Sequence, residues 1–476
     1  LMDAAATWKY ISEKWDSSIT PTLEEFIRIP NQSPAFDPEW ATNGHQDKAV
    51  ALFTKWVESQ QVAGLKMDVL TAPGRTPVIF IEVDSQPAGS EHTVLMYGHL
   101  DKQPPLLPWA EGLAPYTPVI RNGRLYGRGG ADDGYAIFGA ITAITNLHKQ
   151  NLPHARCLIL IEASEESGSP DLPHYVEQLK DRIKIPDLVV CLDSGASSYE
   201  HMWLTTSLRG LIAGVLKVEM LREGIHSGVG SGVAASTFRI MRQLLDRIED
   251  SATGQIKVPE LLVEIPAERL EQMAACAASL GSAITETVPF LPGAQPVSAD
   301  LAEQLKGRTW TPTLSIIGVD GIPGLEVAGN VLRPMTALKL SIRVPPGVDA
   351  PTASLAVKKI LEANPPYGAK VTFECDKAGS GWNAPVLSAW AAESFRSSSA
   401  QYFAGKPAGF NGEGGSIPLI GMLATLFPNS QFCVTGVLGP ESNAHGPNEF
   451  IDLEFAKKIN CCVSQVLYDH YVAHKN

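Results

Sequence analysis

Val94-Leu95-Met96-Tyr97-Gly98-His99-Leu100-Asp101 is the stretch from which the fold can be read. Four apolar residues in a row predict a short strand buried on both faces, and the run ends on a glycine, a histidine and an aspartate. Further runs of this kind lie at Val78–Val83, Leu158–Ile161, Leu188–Leu192 and Phe432–Val437. Between them come helical patterns, at Tyr135–Leu147 and Leu172–Leu179. Ahead of them, Trp8, Ile11, Trp15, Ile19, Leu23 and Phe26 recur at helical spacing up to Pro30, and a second helix is expected over about Asp47 to Ala63. Strands alternating with helices imply an α/β layered fold with a mainly parallel sheet.

From about Ser207 the texture changes. Leu211–Met220 reads as an alternating strand, Val233–Ile248 as a helix, and Ala337–Val344, Ala353–Ala363 and Ala369–Cys375 as strand, helix and strand. A long insert, Asp250 to about Thr311, separates the two strand-helix units. Residues 208–385 are therefore expected to form a smaller inserted α/β domain, with 1–207 and 386–476 as the two parts of the domain it interrupts. The length, 476 residues, is too great for one ordinary compact domain.

Composition excludes several classes. With 44% hydrophobic and 19% charged residues, the chain is neither largely disordered nor a coiled coil. A formal charge of 38 − 51 = -13 disfavours non-specific binding to nucleic acid or anionic membranes. No apolar run approaches the roughly 20 residues that span a bilayer. Leu1 to Tyr10 lacks the basic-then-apolar layout of a signal peptide. The 7 cysteines are scattered, without a C-x-x-C, and Cys157, Cys191 and Cys433 sit inside apolar stretches. Reduced, mostly buried thiols and a cytoplasmic location are expected.

The ionisable residues follow the strands. In open α/β sheets, ligands bind beyond the carboxyl ends of the strands. Val94–Tyr97 leads into His99 and Asp101, Leu158–Ile161 into Glu162, Glu165 and Glu166, and Leu188–Leu192 into Asp193. Phe432–Val437 leads through a Gly-Pro turn to His445, and Gly127-Arg128-Gly129-Gly130-Ala131-Asp132-Asp133-Gly134 opens a helix. One carboxylate at a strand end is ordinarily a helix cap or a solvated turn residue. Two histidines and some six carboxylates at successive strand ends would repel one another without cations, and no basic run lies near. A divalent metal pair would neutralise them. Imidazole and carboxylate ligands without thiolate suit zinc, and also manganese or cobalt.

These residues carry a resemblance. Gly98-His99-Leu100-Asp101, the Gly-Arg-Gly…Asp132-Asp133 turn, Glu165-Glu166, Leu192-Asp193-Ser194-Gly195 and Ala444-His445-Gly446-Pro447-Asn448-Glu449 occur in an order that resembles the co-catalytic metallopeptidase family. That family includes carnosinase, cytosolic non-specific dipeptidase, glutamate carboxypeptidase, aminoacylase and succinyl-diaminopimelate desuccinylase. The resemblance implies two divalent ions per subunit. It makes His99 and Asp193 ligands of one, Glu166 and His445 ligands of the other, and Asp132 the bridge, with a cis Asp132-Asp133 peptide. It makes Asp101 the partner of the other His99 ring nitrogen. It makes Glu165 the general base, acting on a water held by both metals that attacks an amide carbonyl.

The resemblance also implies a homodimer. His226-Ser227-Gly228 is similar to a motif whose histidine reaches the partner subunit's site and stabilises the tetrahedral intermediate. Val331-Leu332-Arg333-Pro334 and Leu340-Ser341-Ile342-Arg343-Val344-Pro345 resemble the carnosinase branch, in which the arginine matching Arg343 binds the substrate carboxylate. Asn330 matches a polar residue reaching across the dimer, and Gly412-Glu413-Gly414-Gly415-Ser416 matches a segment whose Glu413 and Ser416 would hold the amino end or main chain of a small peptide. The sequence departs from the family where Asp132-Asp133-Gly134 lacks a lysine and where Gly379-Ser380-Gly381-Trp382 lacks a histidine. The expected activity is dipeptide hydrolysis, the rivals being an N-acyl-amino-acid amidohydrolase and a catalytically silent peptide-binding relative. The glycine turn is not G-x-G-x-x-G, so dinucleotide binding is rejected as a reading, and no G-x-S-x-G elbow occurs, so serine hydrolysis has little support.

Overall fold

A computed structural model describes residues 1–475. The chain divides into two compact units, one made of Leu1–Thr206, Ala384–Asn411 and Ile417–Asn476, the other of Ser207–Asn383 and Gly412–Ser416.

The first unit is built on a six-stranded sheet in the order Leu65–Leu70, Val78–Val83, Arg156–Glu162, Thr93–His99, Leu188–Cys191, Gln431–Val434. The last four run parallel, and the first two are antiparallel to their neighbours. Every residue of Thr93–His99 is buried, which explains an apolar run without alternation. The helix Ala136–Lys149 lies against Thr93–His99 and Arg156–Glu162, and the long C-terminal helix Leu453–His474 packs on it. Eleven of the fourteen residues of Ala136–Lys149 are buried, so its sequence is apolar nearly all round.

The second unit holds a four-stranded antiparallel sheet in the order Thr313–Asp320, Met335–Val344, Gly210–Glu219, Lys370–Gly379. Met335–Val344 alternates from Leu338 onward, and Leu338, Leu340 and Ile342 face a core completed by Ile240, Met241 and Leu244 of one helix and Val357 and Leu361 of another. The insert is helical at Ala267–Leu280 and Leu301–Thr309.

Two sequence expectations need correction. The helix expected over Val233–Ile248 spans only Thr237–Leu245, because Ser236 is extended (φ -61°, ψ 130°) and ends the preceding turn. The strand Thr313–Asp320 was not expected; it is a sheet edge with Ile316, Ile317 and Val319 exposed, so it lacks the alternation that marks a half-buried strand.

Among the described residues no helix is long and apolar enough to cross a membrane. All seven cysteines are free, and only Cys375 is exposed.

Candidate metal centre

Within the first unit, parallel strands bring residues far apart in sequence to one edge. Thr93–His99 ends on His99, Arg156–Glu162 precedes the turn with Glu165 and Glu166, and Leu188–Cys191 precedes Asp193. The turn carrying Asp132 and the loop carrying His445 meet them. Gly98 is required here. A Cβ at this position would stand 2.3 Å from the Ala136 Cβ and 2.8 Å from Asp133 Oδ2. Asp133 Oδ2 in turn accepts the His99 backbone N–H at 3.2 Å.

The geometry centres on Asp132. One of its oxygens, Oδ1, lies 3.1 Å from His99 Nε2, and the other, Oδ2, lies 3.2 Å from His445 Nε2. Asp193 Oδ1 stands 3.4 Å from His99 Nε2, and Glu166 Oε2 stands 3.5 Å from His445 Nε2. Glu165 Oε2 is 3.8 Å from His99 Nε2. His99, Asp132 and Asp193 form one group whose donor atoms all lie within 4.8 Å of one another, and Asp132, Glu166 and His445 form a second. The Asp132-Asp133 peptide is cis.

The electrostatics ask for cations. Burial raises the Glu165 carboxyl well above the usual range, and the Asp193 charge adds to this. Burial pushes Glu166 up to about 8 and Asp193 up to about 6. Asp132 is the exception; burial opposes ionisation, but its contacts with His445 and His99 hold it well below the carboxylate range. Contacts with Asp132 and Glu166 raise His445 to about 10. With only side chains present, both imidazoles would have to carry protons as counter-charges. Among the described residues, the ion pairs of these carboxylates involve histidines and no lysine or arginine. A set of imidazole nitrogens and carboxylate oxygens with that deficit of positive charge fits two divalent ions. His445 is 64% exposed at its side chain while His99 is fully buried, so the cluster opens on the His445 side.

The surrounding residues hold the donors in place. Asp101 does more than was expected of it. Its Oδ1 is 3.3 Å from His99 Nδ1, and the ring nitrogen also lies 3.0 Å from the Asp101 backbone oxygen. The same carboxylate accepts the backbone N–H groups of Glu165 at 3.1 Å and Glu166 at 3.0 Å. It therefore fixes both the ring and the glutamate turn. Gln103 donates to Glu166 Oε2 at 2.5 Å.

Several residues were given no role from sequence. Arg128, fully buried, pairs with Glu449 at 3.0 Å, and Glu449 Oε2 accepts from the backbone of Gly129, Ala131 and Asp132. Both lie in motifs already quoted, and an arginine flanked by glycines was the one available signal. Lys102, next to Asp101 in sequence, points away and donates to the carbonyls of Phe26, Ile27 and Ile29. The lysine absent after Asp133 has a steric explanation: a Cβ at Gly134 would lie 2.4 Å from the Phe26 ring. Ser380 stands where the resemblance implies a histidine, and its hydroxyl accepts the Ala350 N–H at 3.0 Å at the start of the helix Ala350–Glu362.

The remaining candidates belong to the second unit. His226 is exposed, in a two-residue strand paired with Val331–Leu332, and its Nδ1 accepts the Gly228 N–H at 2.9 Å. Asn330 is beside it, its carbonyl accepting the Ser227 N–H at 2.9 Å. Arg343 makes no ion pair among the described residues; burial lowers its pKa. Burial, with the charges of Arg343 and Arg308, pushes Arg209 down to about 10, so three guanidiniums share one neighbourhood. Glu413 is raised by burial, with Arg308 countering, and Ser416 is exposed.

The chain resembles known proteins over nearly its full length. The model of peptidase family M20/M25/M40 matches residues 95–467. A cysteinylglycine-S-conjugate dipeptidase of Corynebacterium striatum is 25% identical over 91% of this chain and 93% of its own. The Cys-Gly metallodipeptidase dug1 of Schizosaccharomyces pombe is 26% identical over 95% of each chain. The crystal structure of human carnosine dipeptidase 1 superposes with a TM-score of 0.75 at 21% identity over 98% of each chain, which establishes a shared fold. A family match that runs from the strand carrying His99 to the C-terminal helix encloses every member of the cluster. The chain belongs to peptidase family M20/M25/M40.

Proposed function

We propose that the protein is a metal-dependent dipeptidase. The observation that carries this reading is the division of Asp132: one oxygen faces the His99–Asp193 group, the other the His445–Glu166 group, with Glu165 alongside. His99 and Asp193 would hold one divalent ion, His445 and Glu166 the other, and Asp132 both. Bound zinc, or manganese or cobalt, would supply a water of lowered pKa and polarise the scissile carbonyl.

The side chains account for the remaining steps. Glu165, 3.8 Å from His99 Nε2, would take a proton from the attacking water and deliver it to the departing amine nitrogen, and burial raises its basicity. Arg343, in the company of Arg209 and Arg308, would bind the substrate carboxylate. Asn330, Glu413 and Ser416 would position the peptide main chain or amino end. His226, exposed and with Nδ1 already engaged, would offer Nε2 to the oxyanion in the partner subunit of a homodimer. The apolar edge of Ile316, Ile317, Val319, Leu325 and Val327, all exposed, supports an interface on that unit. Seven unpaired thiols, six of them buried, support a cytoplasmic location.

The relatives named for Cys-Gly and cysteinylglycine-conjugate cleavage support dipeptides over N-acyl amino acids. The test is turnover of a dipeptide panel against N-acetyl and N-succinyl amino acids, with Glu165→Gln as the control. Dipeptide turnover is expected, and the variant should lose about two to four orders of magnitude while keeping its metal content. Preferential cleavage of acyl amino acids would replace this reading with the amidohydrolase. Turnover of E165Q within threefold of the parent would refute the role of Glu165.

A further inference from the structure

The strands that lead to His99 and Asp193 begin beside a second cluster. His92 directly precedes Thr93–His99, and Asp187 directly precedes Leu188–Cys191. At about 3.3 Å per residue, this end of the sheet is some 23 Å from the candidate centre. His470 and His474, four apart on the C-terminal helix and so on one face of it, complete the group.

The contacts are close. His92 Nδ1 lies 3.0 Å from Asp187 Oδ1, and His470 Nε2 lies 3.7 Å from Asp187 Oδ2. His92, Asp187 and His474 each offer a donor atom within 4.8 Å of the others. The ring centroids of His92 and His474 are 4.6 Å apart, and those of His470 and His474 are 4.5 Å apart. A tetrahedral ion with bonds of about 2.0–2.1 Å sets its ligand atoms about 3.3 Å apart; His92 Nδ1 stands near that spacing from Asp187 Oδ1, at 3.0 Å, while His470 approaches the other oxygen of the same carboxylate.

A second observation points to a ligand. His470 is fully buried, yet among the described residues neither ring nitrogen makes a hydrogen bond. Native interiors rarely leave such atoms unsatisfied. The neighbouring orientations are already set. The Asp187 carboxylate accepts the Thr93 N–H at 2.8 Å. His474 Nδ1 donates to the His470 carbonyl at 2.7 Å, which puts the ring's lone pair on Nε2 when the imidazole is neutral. Trp390 stacks edge-on against both helix histidines and walls the site.

We propose that His92, Asp187 and His474 hold one divalent transition ion, with the buried His470 beside Asp187 as a further donor. Imidazoles and a carboxylate without thiolate suit zinc. The ion would tie the C-terminal helix to the starts of two sheet strands.

The test compares the full-length parent with His92→Gln/His474→Gln and with His474→Gln alone, which alters only a partly exposed helix end. Each protein is stripped with chelator, loaded with zinc, desalted and analysed for bound metal. The parent should retain one zinc equivalent per chain more than either variant, and peptidase turnover should be unchanged. Cobalt loading should give visible tetrahedral bands in the parent that weaken in both variants. Zinc should also raise the parent's Tm more than that of His474→Gln. Equal zinc content and equal Tm response in parent and His474→Gln overturn the proposal, whatever the fate of the candidate catalytic centre, because only the difference between the proteins is read.

Discussion

Replacing Arg128 by methionine removes a guanidinium that holds two parts of the candidate centre together. Arg128 donates to Glu449 Oε1 at 3.0 Å, to the carbonyls of Ala444 at 2.5 Å and Gly446 at 2.6 Å, and to those of Pro104 and Pro105. Ala444 and Gly446 flank His445. Glu449 accepts three backbone N–H groups of the turn that carries Asp132, at 3.0, 3.1 and 3.2 Å. The pair is thus a rivet between Asp132 and the exposed His445. Both side chains are fully buried, so Arg128→Met leaves a carboxylate in the interior without its cation. Burial already raises Glu449 to about 7 with the guanidinium in place. Breaking a buried pair from one side costs about 3–5 kcal/mol. That is roughly two to four decades in the folding equilibrium. Glu449→Gln should cost a similar amount by stranding the guanidinium. The double variant strands no charge, so its cost should fall short of the sum of the singles by about 2 kcal/mol or more. The assay is urea denaturation of the four proteins, followed by far-UV circular dichroism. Single variants that each lose less than about 1 kcal/mol, or a double variant equal to the sum, would refute the reasoning. Metal retention gives a second reading, with a loss of about 10- to 100-fold in affinity expected for Arg128→Met.

Three further outcomes follow from the structure. Gly98→Ala should destabilise by about 1–3 kcal/mol, measured by urea denaturation, because the new methyl overlaps Ala136 and presses on Asp133. Asp101→Asn should weaken metal binding by about 10- to 100-fold with little change in fold, since the amide offers one acceptor oxygen where the carboxylate serves the Glu165 and Glu166 N–H groups and His99; unaltered metal content after dialysis would contradict this. Burial lowers the fully buried His154 to about 4. Between the ordinary value near 6.5 and about 4, the unfolded chain takes a proton that the native state refuses, so stability falls as pH drops through that window by about 3 kcal/mol in total. Above pH 6.5 the contribution is flat. His154→Asn should lack this component, and stability profiles from pH 7.5 to 4.5 that run parallel for parent and variant would exclude it.

The legible parts of the molecule were those written in local pattern. The run Val94–Tyr97 is apolar because both faces of its strand are covered, and that single fact separates a central parallel strand from an edge one. Leu65–Leu70 escaped notice for the opposite reason. It is an antiparallel edge strand with no buried residue, so nothing in its composition reports the pairing with Val78–Val83. At the candidate centre, the residue types and their place after strands could be seen, whereas the function of Arg128 and Glu449 could not. These two lie 321 positions apart, and no local rule relates them. The departures at Gly134 and Ser380 likewise make sense only once Phe26 and the Ala350 helix start are seen beside them.

By itself the sequence determined which residues could carry the chemistry, since hydrophobic periodicity and chain punctuation are short-range and place His99, Glu165, Glu166 and Asp193 just past the ends of strands. Strand order was decided only in the tertiary structure: Arg156–Glu162 lies between Val78–Val83 and Thr93–His99, although it follows both in the chain. From that order come the two faces of Asp132, the rivet behind them and the gathering of His92, Asp187, His470 and His474 at the far end. Such contacts depend on which distant surfaces bury one another, a choice made by the packing of the whole core and not by any one segment.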